Sequence, residues 1–286
     1  MLEDELLAAF LGASAAHRAV LTDYAWIEAY KQDPVNSILR RLSILRRFPK
    51  QVAVLKGTKA VSALDARAPG LANRMIWRGA EAEFARTVES LRQAETGDRR
   101  VLSQIITHGR AAEQQMETIL LGVPEIVAAM PDMQSMFTQS EIKRCRNAGG
   151  YTLVMAQKIF AATDQICDDL FRRHPEKPRL PSRRARRDTF LYRYSLATVL
   201  YLLRWIRTGS RPLQRSDRVR NDFIDLNFAT YGTYFNGVMT EDALTRDIHL
   251  ELRYVLEMQR VRMPIDYVEP LLSLLGKPSQ EGSEGP

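Results

Sequence analysis

The sequence predicts an α/β fold, predominantly helical overall, in which a small parallel sheet is flanked by helices. Three observations carry this expectation. Short apolar runs at 19–21 (AVL), 51–56 (QVAVLK) and 237–239 (GVM) have the length and composition of strands, placing them near 18–22, 51–55 and 236–240. Long stretches between them repeat apolar residues at helical spacing. The first and last runs also lead directly into acids, Asp23 and the triplet Thr240, Glu241 and Asp242. Ligands of α/β sheets bind outside the carboxyl ends of the strands, which is where those acids fall.

With 286 residues, 45% of them hydrophobic and 26% charged, the chain has enough apolar content to bury a sizeable core. It reads as a single domain over 1–276, with a helical insertion at about 60–135 and a polar, disordered tail at 277–286. Glu3, Asp4 and Glu5 stand where a secretory signal would carry basic residues, so the apolar run 6–16 is read as an amphipathic helix. The run 195–206 contains Arg204 and falls short of the ~18 residues a membrane span needs, so no membrane partner is expected. Cys145 and Cys167 show neither zinc nor disulfide spacing, and the expected setting is reducing and cytoplasmic.

The net charge of +7 and pI near 9.5 favour an anionic partner. The charge is local: 172–187 holds eight Lys or Arg against the single acid Glu176, and the rest of the chain is formally balanced.

Taken in order, 1–16 is helical and the 19–21 strand is followed by Trp26, Ile27 and Tyr30 at helical spacing. Residues 36–48 form a basic amphipathic helix that Pro49 stops, and Gly57 and Thr58 turn the chain after the second strand. From 60 to 134 the pattern is helical, with breaks expected at Gly97 and Asp98, at Gly122 to Pro124, and at Pro131. A helix starts near Thr138 or Ser140, both suited to capping, and another spans 151–173. Three prolines make 174–182 a linker, and 190–207 is the most apolar helix and the expected centre of the core. Asn221, Asp222 and Asp225 open an aromatic-rich helix, 243–260 is helical, 261–266 is a last short strand, and 269–275 a final helical turn.

Asp222 and Asp225 share a helix face, and Asp225 and Asp242 are separated by a helix and a strand that returns beside it. Taken singly, such acids cap helices routinely. Taken with Asp23, which ends another strand, they resemble the acid set of PIN-domain nucleases, an α/β group of metal-dependent ribonucleases. Asp23 in VLTDYAW matches that family's first acid, Thr240-Glu241-Asp242 its Thr-x-Asp position, and Asp225 its third acid, with Asp222 as competitor. For the second acid Glu141 in FTQSEIKRCR matches the family context, and Glu28 is the alternative. The resemblance covers 17–31, 138–147 and 219–248, and the family's domains are usually about half this length.

The resemblance implies Asp23, Glu141, Asp225 and Asp242 as catalytic metal ligands, a Mg²⁺ or Mn²⁺ cofactor, and RNA ahead of DNA as substrate. Carboxylate oxygens are hard ligands for those ions, and a bound ion can generate a water nucleophile and stabilise a leaving oxygen. Arg144, Arg183, Arg184, Arg186 and Arg187 are the candidate nucleic-acid contacts. Arg40, Arg41, Arg46 and Arg47 pose the same choice between a solvated face and a nucleic-acid channel, whereas Phe190, Tyr192 and Tyr194 read as core. A homo-oligomeric contact or an inhibitory protein is a further partner consistent with the reading. The competing reading is a non-catalytic, basic helical protein that binds other macromolecules. The mutual distances of the acids separate the two.

Overall fold

Parallel pairing of two three-residue strands fixes the topology of the N-terminal half. The structure, a computed structural model, describes residues 5–147, 149–210 and 216–268. After α1 (Glu5–Ala13), strand β1 (Ala19–Leu21) runs into α2 (Asp23–Ala29), then α3 (Pro34–Arg41) and two short 3₁₀ turns lead to β2 (Val52–Val54). The strands align Ala19 with Val52, Val20 with Ala53 and Leu21 with Val54. β1 therefore leads into Thr22 and Asp23, and β2 leads through Leu55 and Lys56 to Gly57 and Thr58, on the same edge of the sheet.

Helices α4 (Thr58–Ser62), α5 (Leu71–Met75) and α6 (Ala80–Glu95) follow. The Leu55–Ile76 bridge continues the pairing by one residue on the free side of β2. Helix α7 (Arg99–Ser135) is capped by Asp98, whose carboxylate accepts from Arg100 N and Val101 N, at the break expected there. Its 37 residues run on through Gly122, Pro124 and Pro131, where the sequence led us to expect breaks. A proline removes its own N–H bond and crowds the preceding turn, but it does not forbid helix when tertiary packing sets the axis. α7 has such packing, against α2, α3 and α6.

The C-terminal half is helical: α8 (Gln139–Arg146), α9 (Leu153–Arg173), α10 (Arg183–Arg186), α11 (Phe190–Arg207), α12 (Ser216–Gly232) and α13 (Ala243–Met258). α11 is central, as its apolar sequence predicts; Leu196, Ala197, Val199, Leu200, Leu203 and Ile206 have no exposed surface. It packs on α9, α12 and α13. Phe190 and Tyr192 are buried and Tyr194 packs beside them, in agreement with their reading as core.

The expected third strand at 236–240 and a last strand at 261–266 do not form; both segments are irregular. They hold each other instead of joining the sheet. Tyr267 N donates to Asn236 O, the Asn236 amide donates to Ile265 O, and Gly237 adopts φ +120 against the Asp266 carboxylate. A residue with that φ breaks the extended geometry a ladder needs. The small sheet thus has two strands among the described residues. The expected helical turn at 269–275 and tail at 277–286 lie outside them. No described helix is long and apolar enough to cross a membrane.

Candidate active site

Helices α2 and α12 carry Asp23, Glu28, Asp222 and Asp225, and a small apolar cluster joins the two helices. Ile27 of α2 and Ile224 of α12 are buried against each other with Ala112 of α7, and Tyr24, Tyr30 and Phe228 pack on them. Asp222 and Asp225 flank Ile224 at the middle of α12, and Glu28 follows Ile27 on α2. Asp242 arrives from the loop after α12 as the N-cap of α13: its Oδ1 accepts from Thr245 N at 2.7 Å and from the Thr245 hydroxyl at 3.0 Å. Thr240 is buried and its hydroxyl accepts from Asp242 N at 3.1 Å, which explains why this loop needs Thr two residues before Asp.

Asp225 is the electrostatic centre of the group. Burial, then the negative charges of Asp242, Asp222 and Glu28, push its carboxyl up to about 7, while a hydrogen bond from Thr245 opposes the shift. Asp222 accepts a hydrogen bond from the Tyr201 hydroxyl at 2.7 Å. Glu28 pairs with Lys31 at 3.2 Å and with Arg41 at 3.8 Å. Three carboxylates therefore act on Asp225: Asp222 on the same helix, Asp242 at the start of α13, and Glu28, the alternative second acid of the sequence reading.

Asp23 sits where expected, at the carboxyl end of β1, but with other partners. Its Oδ1 accepts from Tyr24 N and from the Thr58 hydroxyl at 2.7 Å, and its Oδ2 accepts from Thr58 N at 2.6 Å. The Tyr231 hydroxyl is 2.8 Å from the Thr58 hydroxyl. Asp23 thereby ties the ends of both strands to α12, one turn of α2 away from Glu28. It is not among the charges acting on Asp225.

Glu141 has a structural position. It closes a capping box with Thr138 and pairs with Lys158 of α9 at 2.7 Å; the Lys158 ammonium holds its carboxyl below the usual range, helped by the Thr138 N–H. The family context that suggested Glu141, a polar helix start followed by an acid, is also the sequence of a capping box. The signal was read as chemistry where it encodes a helix end.

The predicted nucleic-acid arginines divide in the same way. Arg183 and Arg184 are exposed. Arg186 is buried and pairs with Asp168 at 2.6 Å and Asp164 at 3.4 Å, both on α9. Arg187 donates to Gln259 O, and Arg144 donates to Gly150 O beyond its own helix. Sequence reasoning overlooked Lys31, which pairs with Glu28 three residues before it, and Tyr201 of α11, which donates to Asp222; helical spacing was a signal for the first, and none announced the second.

By donor chemistry the carboxylates suit a divalent cation, since all are oxygen ligands; the raised proton affinity of Asp225 comes first from its burial and then from the neighbouring negative charges. By spacing they fall short, since among the described residues no three Asp, Glu, His or Cys groups are close enough together to hold one ion. No protein-family model, no curated protein and no solved structure matches the chain.

Proposed function

We propose that the chain is a metal-dependent nuclease similar to PIN-domain enzymes, an endoribonuclease that hydrolyses phosphodiester bonds at the carboxylates of α12 and α13. The observation that carries this reading is the environment of Asp225, a half-buried carboxyl crowded by Asp242, Asp222 and Glu28. Crowded acids raise one another's proton affinity unless a cation accompanies them. Asp225 and Asp242 would hold the ion, with Asp222 or Glu28 completing the set in place of Glu141. Bound there, Mg²⁺ or Mn²⁺ supplies a water of lowered pKa and neutralises phosphate charge.

The chain's own residues do the rest. Thr245 orients Asp225 and Asp242, Tyr201 orients Asp222, and the cations beside Glu28 meet an incoming phosphate. The exposed Arg183 and Arg184 favour a polyanionic substrate.

A second reading, the non-catalytic helical protein that binds other macromolecules, is favoured by the spacing of the carboxylates as they stand. Cleavage decides between them. Purified protein incubated with single-stranded RNA and DNA in Mn²⁺ or Mg²⁺ should cut RNA, and Asp225→Asn and Asp242→Asn should each lower the rate by at least ~100-fold. Cleavage that survives both substitutions assigns the activity elsewhere, and no cleavage in either metal favours the binding protein.

A further inference from the structure

Residues 261–268 return along α13 as an irregular strap, and one buried histidine meets it. Both ring nitrogens of His249 face oxygen: Nδ1 lies 3.0 Å from Ala229 O, and Nε2 lies 2.8 Å from the Asp266 carboxylate. Ala229 stands in the last turn of α12, where backbone carbonyls lack helical donors. A carbonyl oxygen only accepts, so Nδ1 carries a proton and donates it. Close packing fixes the ring in this orientation, since a Cβ on Gly232 would stand 2.7 Å from its Cε1 and 2.8 Å from Nδ1.

With Nδ1 committed as a donor, a neutral imidazole has only a lone pair at Nε2, and an ionised Asp266 offers only lone pairs in return. Two acceptors do not bond at 2.8 Å, so the contact needs one proton more than neutral imidazole and carboxylate hold together. Arg253, one turn along α13, donates to Pro264 O at 2.6 Å and places its Nε 3.8 Å from the same Asp266 oxygen. On α12, Asp225 lies one turn before Ala229, and Arg193 of α11 donates to Thr233 O just beyond the helix end. The strap is also tied to the chain that follows α12. Asn236 accepts from Tyr267 N and donates to Ile265 O, and Asp266 Oδ1 packs on Gly237 while accepting from Val268 N at 3.0 Å. Asn236 and Gly237 open the segment that leads to the buried Thr240 and to Asp242.

We propose that His249 and Asp266 form a proton-operated latch: one proton held between them docks the strap on α13 and on Asn236, and its loss releases the strap. Histidine is the side chain whose charge ordinarily changes near neutral pH. The docked form holds the extra proton and the released form does not, so low pH favours docking and rising pH favours release. Release frees Asn236 and Gly237 and slackens the segment that delivers Asp242 to the start of α13. The latch goes beyond the nuclease reading and does not depend on it, because the proton sits between two side chains that are not metal ligands in that reading.

Amide hydrogen exchange of the full chain, read by NMR and corrected for the intrinsic effect of pH, tests the latch at Tyr267 N–H, which donates to Asn236 O. Protection there should fall about tenfold or more between about pH 6 and about pH 9. Asp266→Asn keeps an oxygen for Val268 N and supplies an amide N–H that donates to neutral imidazole, so it needs no extra proton. Its protection should match the wild type near pH 6 and change less than about twofold up to pH 9. His249→Gln cannot span both acceptors and should show low protection at both pH values, with circular dichroism checking that each variant keeps the helical fold. Equal wild-type protection at both pH values overturns the latch. So does a fall that persists undiminished in either variant, which places the titrating group elsewhere, and so does an Asp266→Asn strap left unprotected even at pH 6. The nuclease reading fails on a different result, the absence of metal-dependent RNA cleavage, so the two are judged separately.

Discussion

Asp225 and Asp242 share one hydroxyl: Thr245 Oγ1 lies 3.0 Å from Asp242 Oδ1 and also hydrogen-bonds Asp225. One proton cannot serve two carboxylates fully at once, and when the hydroxyl turns to Asp242 it is Asp225 that loses its donor. Asp242 has a second donor in Thr245 N, whereas Asp225 sits deeper and takes the electrostatic burden. The pair is thus built asymmetrically, with one acid committed to capping α13 and the other left to titrate.

The titration predicts a stability profile. The Asp225 carboxyl is raised from an ordinary aspartate value to about 7, so between about pH 4 and pH 7 the folded chain holds a proton that the unfolded chain has lost. Stability contributed at this site is therefore intact below pH 4 and declines as pH rises to 7. Asp225→Asn removes the titration, so the variant should gain on the wild type across that window and lead by about 1–3 kcal/mol at pH 8, a range discounted for the partly open site. Urea denaturation of both proteins at several pH values measures the gap; a gap constant from pH 4 to 8 contradicts it.

A cation that relieves the same repulsion should stabilise the folded protein. At Mn²⁺ a hundredfold above its dissociation constant the gain is about 2.7 kcal/mol, seen as an upward shift in melting temperature. Ca²⁺ should substitute in part, since it also prefers oxygen ligands. Asp225→Asn and Asp242→Asn should each abolish most of the shift, while Glu141→Gln should leave it unchanged because Glu141 serves Thr138 and Lys158. A shift abolished by Glu141→Gln alone would restore that residue to the site.

What the sequence revealed follows a physical division. Strands at 19–21 and 52–54, the apolar helix now called α11, the helix start at Thr138 and the break at Asp98 were legible because each rests on local composition or on a short-range hydrogen bond. The segment at 237–239 misled because three apolar residues satisfy a strand pattern whatever lies beside them; its partner is the irregular strap at 265–267, which no local signal announces. Asp225 and Glu28 come together through the packing of Ile27, Ala112 and Ile224, three residues from three helices, and Asp242 joins them through the packing of α13 on α12; such contacts are invisible in one dimension. Glu141 shows the opposite failure, a strong local motif that caps its own helix and pairs with Lys158.

Arg186 offers a contrast within the basic segment. It is 6% exposed and faces Asp164 and Asp168, so its charge is neutralised inside the fold. Asp164 and Asp168 keep 31% and 39% of their side-chain surface exposed, so water takes up part of the lost pairing, and Arg186→Ala should cost about 1–3 kcal/mol in chemical denaturation. The Arg183→Gln/Arg184→Gln pair should change stability by less than about 0.5 kcal/mol and weaken RNA binding with a shallower salt dependence. The reverse ranking would mean that the outer arginines, not Arg186, anchor α10.

Thr58 joins the two strand ends to α12, and its contribution separates cleanly by substitution. Its N–H and hydroxyl both donate to Asp23, and the Tyr231 hydroxyl lies 2.8 Å from its own. With its proton given to Asp23, the Thr58 oxygen accepts from Tyr231, so the order runs from Tyr231 through Thr58 to the carboxylate. Thr58→Val keeps the shape and the N–H bond but removes the middle of that chain, leaving the Tyr231 hydroxyl without its partner. A hydrogen bond to a charged group contributes about 1.5–3 kcal/mol, and Thr58→Val should lose about that much. Tyr231→Phe removes only the outer bond and should lose about 1 kcal/mol. In the double variant the orphaned hydroxyl is gone, so the combined loss should fall short of the sum of the two, by a coupling that a double-mutant cycle in urea reads directly. Strict additivity would show that Tyr231 and Thr58 act independently and that the chain does not extend beyond Asp23.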